Sequence, residues 1–164
     1  MSQKILSIVV AGIEYNSKWL FIKRERGDYQ KKWALVGGKM HFDETIKESI
    51  LREIKEETGL EVEWVGIKSI LNEKLKEKNS GETTQHFIII LCLTKANSDE
   101  VKETEEGELC WFTKQKIRDN KNKIIPSDYH MMTNLIMKES LNQIVEVELL
   151  EKEDELSLGL FEEY

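Results

Sequence analysis

The sequence predicts a mixed α/β fold in which a central mixed sheet is flanked by two helices. The first sign is a helix of about three turns. Thr45 and Glu48 have the spacing of a capping box, Ile46, Ile50 and Ile54 recur every fourth residue, and Gly59 fits the position just past a helix end. The second is a set of short apolar runs at 5–15, 18–23, 61–71, 85–93 and 108–112 with the length and β-branched content of buried strands. The third is another apolar stripe at helical spacing, Met131, Met132, Leu135 and Ile136.

Taken in order, residues 5–15 and 18–23 form an opening hairpin turned by Asn16 and Ser17. Residues 24–32 are a charged, solvated surface loop around Gly27, with Arg24 and Arg26 as its exceptions. Trp33 to Val36 is a short strand ending at Gly37 and Gly38, whose missing side chains permit close backbone approach. After the helix, strands 61–71 and 85–93 are separated by a polar, mobile connection, Asn72 to Thr84. A polar acidic segment, residues 95–107, leads to a final central strand, Glu108 to Phe112, and a short helix near 114–119. Ser127 or Asp128 caps the second long helix, which runs to about Leu141, and alternation through Val145, Val147, Leu149, Leu156, Leu158 and Leu160 closes the chain as a hairpin. His41, His86 and His130 lack partners at ligand spacing and read as ordinary structural residues.

The acids of the first helix are misplaced for stability alone. Glu53, Glu56 and Glu57 share one face, and the last two lie in the final turn, where the helix dipole disfavours a carboxylate by roughly 0.3–1 kcal/mol. On a helical wheel Glu57 falls beside Ile50, so the acidic stripe borders the core. A divalent cation would offset both costs, and hard oxygen donors without Cys or His suit Mg²⁺ or Mn²⁺. With 31 acidic residues in 164, a lone group of this kind would read as solvated surface.

It is not alone. Gly38, five residues, Glu44, seven residues, then Arg52-Glu53-Ile54-Lys55-Glu56-Glu57-Thr58-Gly59-Leu60 matches every fixed position of the signature of the Nudix hydrolases, which residues 38–60 resemble. Composition puts a chance match at about one in a million. The resemblance implies a Nudix-type α/β/α sandwich and hydrolysis of a nucleoside diphosphate linked to a further group. It implies Glu53, Glu56 and Glu57 as metal ligands, joined by the Gly37 carbonyl and by Glu106, with Glu105 the second choice there. Glu53 is also the first choice for accepting the proton of the attacking water, with Arg52 orienting the glutamates and Glu44 in support. Val36 and Asp43 stand where the family often has proline and glycine.

The order of a Trp-Phe strand, a Pro-x-Asp loop, a helix and a terminal hairpin resembles the mutator-type, oxidised-purine nucleoside triphosphatase branch. That resemblance maps base recognition onto Asp128, alongside Gly38 and Arg24 as substrate-binding positions. The expected activity is conversion of a (deoxy)nucleoside triphosphate, such as 8-oxo-dGTP, to monophosphate and pyrophosphate. The alternatives are a Nudix hydrolase of ADP-ribose, dinucleoside polyphosphates or another conjugate, and, ranked last because every signature glutamate is present, a non-catalytic nucleotide-binding module.

A net charge of −7 opposes binding to a nucleic-acid polymer, though one nucleotide can still bind through a metal. The N-terminal apolar run is too short and interrupted for a membrane span and lacks a signal-peptide pattern. Cytoplasmic residence is therefore expected. Length, one proline and nine glycines indicate a single domain over 1–164, with the C-terminal helix and hairpin at 127–161, acting as a monomer or homodimer. Cys92 and Cys110, far apart in apolar surroundings, read as reduced thiols.

Overall fold

The protein is described by a computed structural model that covers residues 3–27, 29–138 and 144–163. Among these residues nine strands join one sheet: β1 (Ile5–Tyr15), β2 (Lys18–Arg24), β3 (Trp33–Ala34), β4 (Val36–Lys39), β5 (Val62–Glu77), β6 (Thr83–Ala96), β7 (Gly107–Phe112), β8 (Ile144–Lys152) and β9 (Glu155–Glu163). The order is β3-β2-β1-β6-β5-β8-β9, with β4 also paired to β1 and β7 to β2. β1 with β6 and β5 with β8 are parallel, and the remaining pairs are antiparallel. The sheet is mixed, as expected.

Helix α1 (Ile46–Thr58) begins at Thr45, whose Oγ1 accepts from the Glu48 N–H at 3.2 Å, while Glu48 Oε2 accepts from the Thr45 N–H at 2.8 Å. It ends at Gly59, in the left-handed conformation with φ 72°. Ile50 and Ile54 are fully buried, which places the helix directly on the sheet at β4, β1 and β5. Two short helices follow, α2 (Lys114–Asp119) and α3 (Pro126–His130). α3 continues as π-helical turns over Met131–Ile136, marked by the Met137 N–H donating to the Met132 carbonyl at 2.8 Å. Met131, Met132 and Leu135 are fully buried, and this segment packs against β5, β8 and β9. The opening hairpin turns through Asn16 and Ser17, both at positive φ, as a two-residue turn between twisted strands requires.

Several expectations are corrected. Asn72 to Thr84 is not a mobile connection: β5 runs to Glu77 and β6 starts at Thr83, leaving a short turn. The outward residues of that extension are polar because they face solvent, which made a strand look like a loop. β7 is not central: among the described residues its one strand partner is β2, and it lies at an edge. The strand expected over Trp33 to Val36 is split at Leu35 into β3 and β4, on different partners. Neither Ser127 nor Asp128 caps α3: Pro126 takes the first helical position, so Ile125 is the cap and both polar residues fall inside the first turn. The expected helix end near Leu141 lies outside the described residues.

Because the capping box satisfies two backbone donors at the start of α1, Thr45→Ala is expected to cost about 1 kcal/mol of stability, read as a lower denaturation midpoint at unchanged m-value.

Candidate active site

The signature residues gather where β4 meets α1. Gly38 pairs with Val9 of β1 across the sheet, and the carboxylate of Glu53 lies over it: a Cβ at Gly38 would stand 2.6 Å from that carboxylate. A Cβ at Gly37 would overlap the Val9 carbonyl oxygen. Both glycines are thus required by close approach rather than by turn conformation. Asp43, where the resembling family often has glycine, adopts φ 67°, a left-handed conformation that aspartate tolerates better than most residues.

Arg52 is the hub of the charges. Its Nε and Nη2 donate to the two oxygens of Glu44 at 2.5 and 3.0 Å, Nη1 donates to Glu53 Oε1 at 2.8 Å and Glu56 Oε2 at 3.2 Å, and Nη2 also reaches the Lys39 carbonyl at 3.2 Å. This pairing, with the His41 N–H, holds the Glu44 carboxyl down at about 2 and raises the Arg52 guanidinium further. Glu57 is the opposite case. Burial, then the charges of Glu53 and Glu106, push it up to about 8, against the opposing effects of Arg24 and the Gly37 N–H. Glu105 is exposed and engaged by Arg26 at 3.0 Å.

Among the described residues no three Asp, Glu, His or Cys side chains are assembled into a closed ligand set. The donor chemistry nevertheless fits a hard divalent cation. Glu53, Glu57 and Glu106 lie close enough that two of them hinder ionisation of the third, so positive charge at that point would relieve a repulsion the protein's own cations leave in place.

These residues line one cleft of about 890 Å³ that continues over the sheet from Gly37, Gly38, Glu53, Glu56, Glu57 and Glu106 past Arg24 to Asp128. Asp128 is buried, and its Oδ2 accepts from the Leu35 N–H at 2.7 Å. Burial raises its carboxyl to about 6 despite that bond, the charge of Arg24 and the hydroxyl of Ser127. Sequence reasoning missed Glu73, which lines the same cleft, is 4% exposed and is pushed up to about 7 by burial and the charge of Asp128. The signal was present: Leu71, Glu73 and Leu75 alternate, putting a glutamate on the inward face of a strand.

Residues 6–135 match the family model of the NUDIX domain. The chain belongs to the Nudix hydrolase family. It is 33% identical over 119 residues to the nucleoside triphosphatase NudI of Enterobacter sp. (strain 638), covering 68% of this chain and 84% of that one. The crystal structure of the mutator MutT protein from Bacillus halodurans shares the Nudix fold with a TM-score of 0.75 at 18% identity, over 97% of each chain. A bifunctional NMN adenylyltransferase/ADP ribose pyrophosphatase from Francisella tularensis, crystallised with AMP and a Mn ion, has a TM-score of 0.62 at 19% identity over 85% of this chain and 43% of that one. These likenesses establish the α/β Nudix sandwich, and no helix among the described residues is long and apolar enough to cross a membrane.

The raised Glu73 carboxyl sets a pH dependence. Between about 4.5 and about 7 the folded chain keeps a proton that the unfolded chain has released, so stability falls as pH rises through this window. Denaturant unfolding at pH 5 and 7.5 is expected to show the wild type losing about 1–3 kcal/mol more than Glu73→Gln, which lacks that proton. Equal losses in the two proteins would refute the assignment.

Proposed function

We propose that the chain is a divalent-metal-dependent pyrophosphohydrolase of (deoxy)nucleoside triphosphates, releasing monophosphate and pyrophosphate, with oxidised purines such as 8-oxo-dGTP within its range. The observation that carries this reading is the two-part cleft. Glu53, Glu56, Glu57 and Glu106 stand at one part with Gly37 and Gly38, buried Asp128 stands at another, and the charge of Arg24 acts on both Glu57 and Asp128. Such a layout suits a ligand with a polyphosphate and a base. Similarity to a nucleoside triphosphatase supports the choice of substrate class.

In this reading Glu53, Glu56, Glu57, Glu106 and the Gly37 carbonyl hold Mg²⁺ or Mn²⁺. The metal, when bound, supplies neutralisation of the diphosphate and polarisation of the attacking water. Arg52 positions Glu53 and Glu56 through its shared guanidinium and is itself fixed by the two-point grip of Glu44. Glu53 takes the proton of the attacking water, its carboxylate kept in place by Arg52 on one side and the bare Gly38 backbone on the other. Arg24 contacts the phosphates, and Asp128 pairs with the base edge. The whole chain acts as one domain, as a monomer or homodimer.

Glu53→Gln is expected to lower turnover at least 100-fold while circular dichroism and melting temperature stay near wild type, because charge is lost with little change of volume. Wild-type turnover in that variant would remove Glu53 from the mechanism. Mg²⁺ or Mn²⁺ is expected to raise the melting temperature of the wild type, and to raise it less in a Glu56→Gln, Glu57→Gln double variant, since a ligand of the folded site stabilises only the folded state. A panel of triphosphates, ADP-ribose and dinucleoside polyphosphates, assayed for pyrophosphate, phosphate and monophosphate release, tests the substrate class. Pyrophosphate from triphosphates is the expected product, and activity confined to the other conjugates would overturn it.

A further inference from the structure

Reading across the sheet at one register gives Leu6 on β1, Phe87 on β6, Glu73 on β5, Val147 on β8 and Phe161 on β9. Glu73 is the single charged residue in an otherwise apolar row. Its Oε2 is buried and has no hydrogen-bond partner among the described residues, although Glu73 lines the cleft. The Ser127 hydroxyl acts on both the Glu73 and the Asp128 carboxyl, lowering each, and the Leu35 N–H donates to Asp128 Oδ2. One hydroxyl carries one hydrogen, so it can donate to only one of the two carboxyls. When both carboxyls are ionised, the pair is therefore under-supplied with donors by the protein. An unsatisfied buried acceptor is costly, and apolar replacement would suit every neighbour in the row. The missing donor is most simply brought by a ligand.

We propose that Glu73 is a specificity-determining residue whose Oε2 accepts an N–H from an exocyclic amino group of the nucleobase, so that the cleft selects amino-bearing bases over amino-free ones. The proposal rests on a nucleotide occupying this cleft, as argued above. Within the protein Asp128 anchors β4 to α3, its Oδ2 accepting from the Leu35 N–H. Glu73 has no such anchoring task, since its orphan oxygen holds nothing in the protein. A base amine placed there completes the donor count, whereas a base without one leaves the acceptor dry and unpaired. Sites built around a buried polar group discriminate strongly against ligands that cannot pair with it.

The test is calorimetric binding of nucleoside monophosphates to the full chain, which needs no hydrolysis. GMP and AMP are compared with IMP, and CMP with UMP. At least one amino-bearing member is expected to bind ten-fold or more tightly than its amino-free counterpart, and which pair shows this identifies the base. In Glu73→Met the difference is expected to shrink to within three-fold, with a melting temperature at or above wild type, because an apolar side chain suits the row. Glu73→Gln retains an acceptor and is expected to keep most of the preference. Equal binding within every pair in the wild type, no binding of any monophosphate, a preference that survives in Glu73→Met, or a drop in that variant's melting temperature would each overturn the proposal. Pyrophosphate release from triphosphates is scored separately. Base preference without turnover would sink the triphosphatase reading and leave Glu73 in place, and turnover without base preference would do the reverse.

Discussion

The structure depends on one close contact, the seating of α1 on β4 through Gly37 and Gly38. A side chain at Gly37 would collide with the Val9 carbonyl, and one at Gly38 with the Glu53 carboxylate. Their absence lets β4 pair with β1 while an acidic side chain from the helix lies flat against the strand. Ile50 and Ile54, fully buried one and two turns from the capped end, fix the height of the helix from below. Glu53 then has little freedom of position: the sheet sets it on one side and Arg52 on the other. The apolar packing that stabilises the helix is thus the same packing that aims its carboxylates into the cleft.

How much of this was legible from the chain follows from the range of the interactions. α1 was readable to within a residue because its capping box, its apolar repeat and its terminal glycine are local features, each acting over a few positions. The signature was readable for the same reason. The parallel pairing of β1 with β6, and of β5 with β8, leaves no local mark, since it joins segments far apart in the chain. Nor does the edge position of β7, which depends on what does not pair with it. Asp128 was placed near a base pocket by resemblance, but its hydrogen bond to the Leu35 N–H involves a residue 93 positions away, and no spacing rule reaches that far.

Glu73 shows a different limit. Its strand looks short in the sequence because Asn72, Glu73, Lys74 and Lys76 together read as polar, although Glu73 faces inward while Asn72, Lys74 and Lys76 lie on the opposite face. A sequence can show that a position breaks the alternation of a strand. It cannot show whether that break is an error in the assignment or a buried acid retained for a purpose. The structure separates the two, because the pairing on both sides of Glu73 is continuous and the neighbouring side chains are apolar.

The cleft also shows how one type of side chain takes on opposite proton affinities within a short distance. Glu44, half-buried and gripped by a guanidinium, is held as a firm carboxylate. Glu57, crowded by two other acids and partly withdrawn from water, resists ionisation, as do Glu73 and Asp128 on the apolar floor. Three raised carboxyls among the described residues would be a poor arrangement for stability alone, since each takes stability from the folded state as pH rises from the ordinary carboxylate range through its raised value, and the loss is complete above it. Their confinement to a single cleft argues that the cost is tied to ligands. Where the raised carboxyl is crowded by other acids, a cation is the group that would lower it; where it is raised by an apolar floor, a hydrogen-bond donor on a base would do so. On the proposed reading, the two groups of raised carboxyls would then take the two chemically different parts of a nucleotide complex, the metal-bound phosphates and the heterocycle.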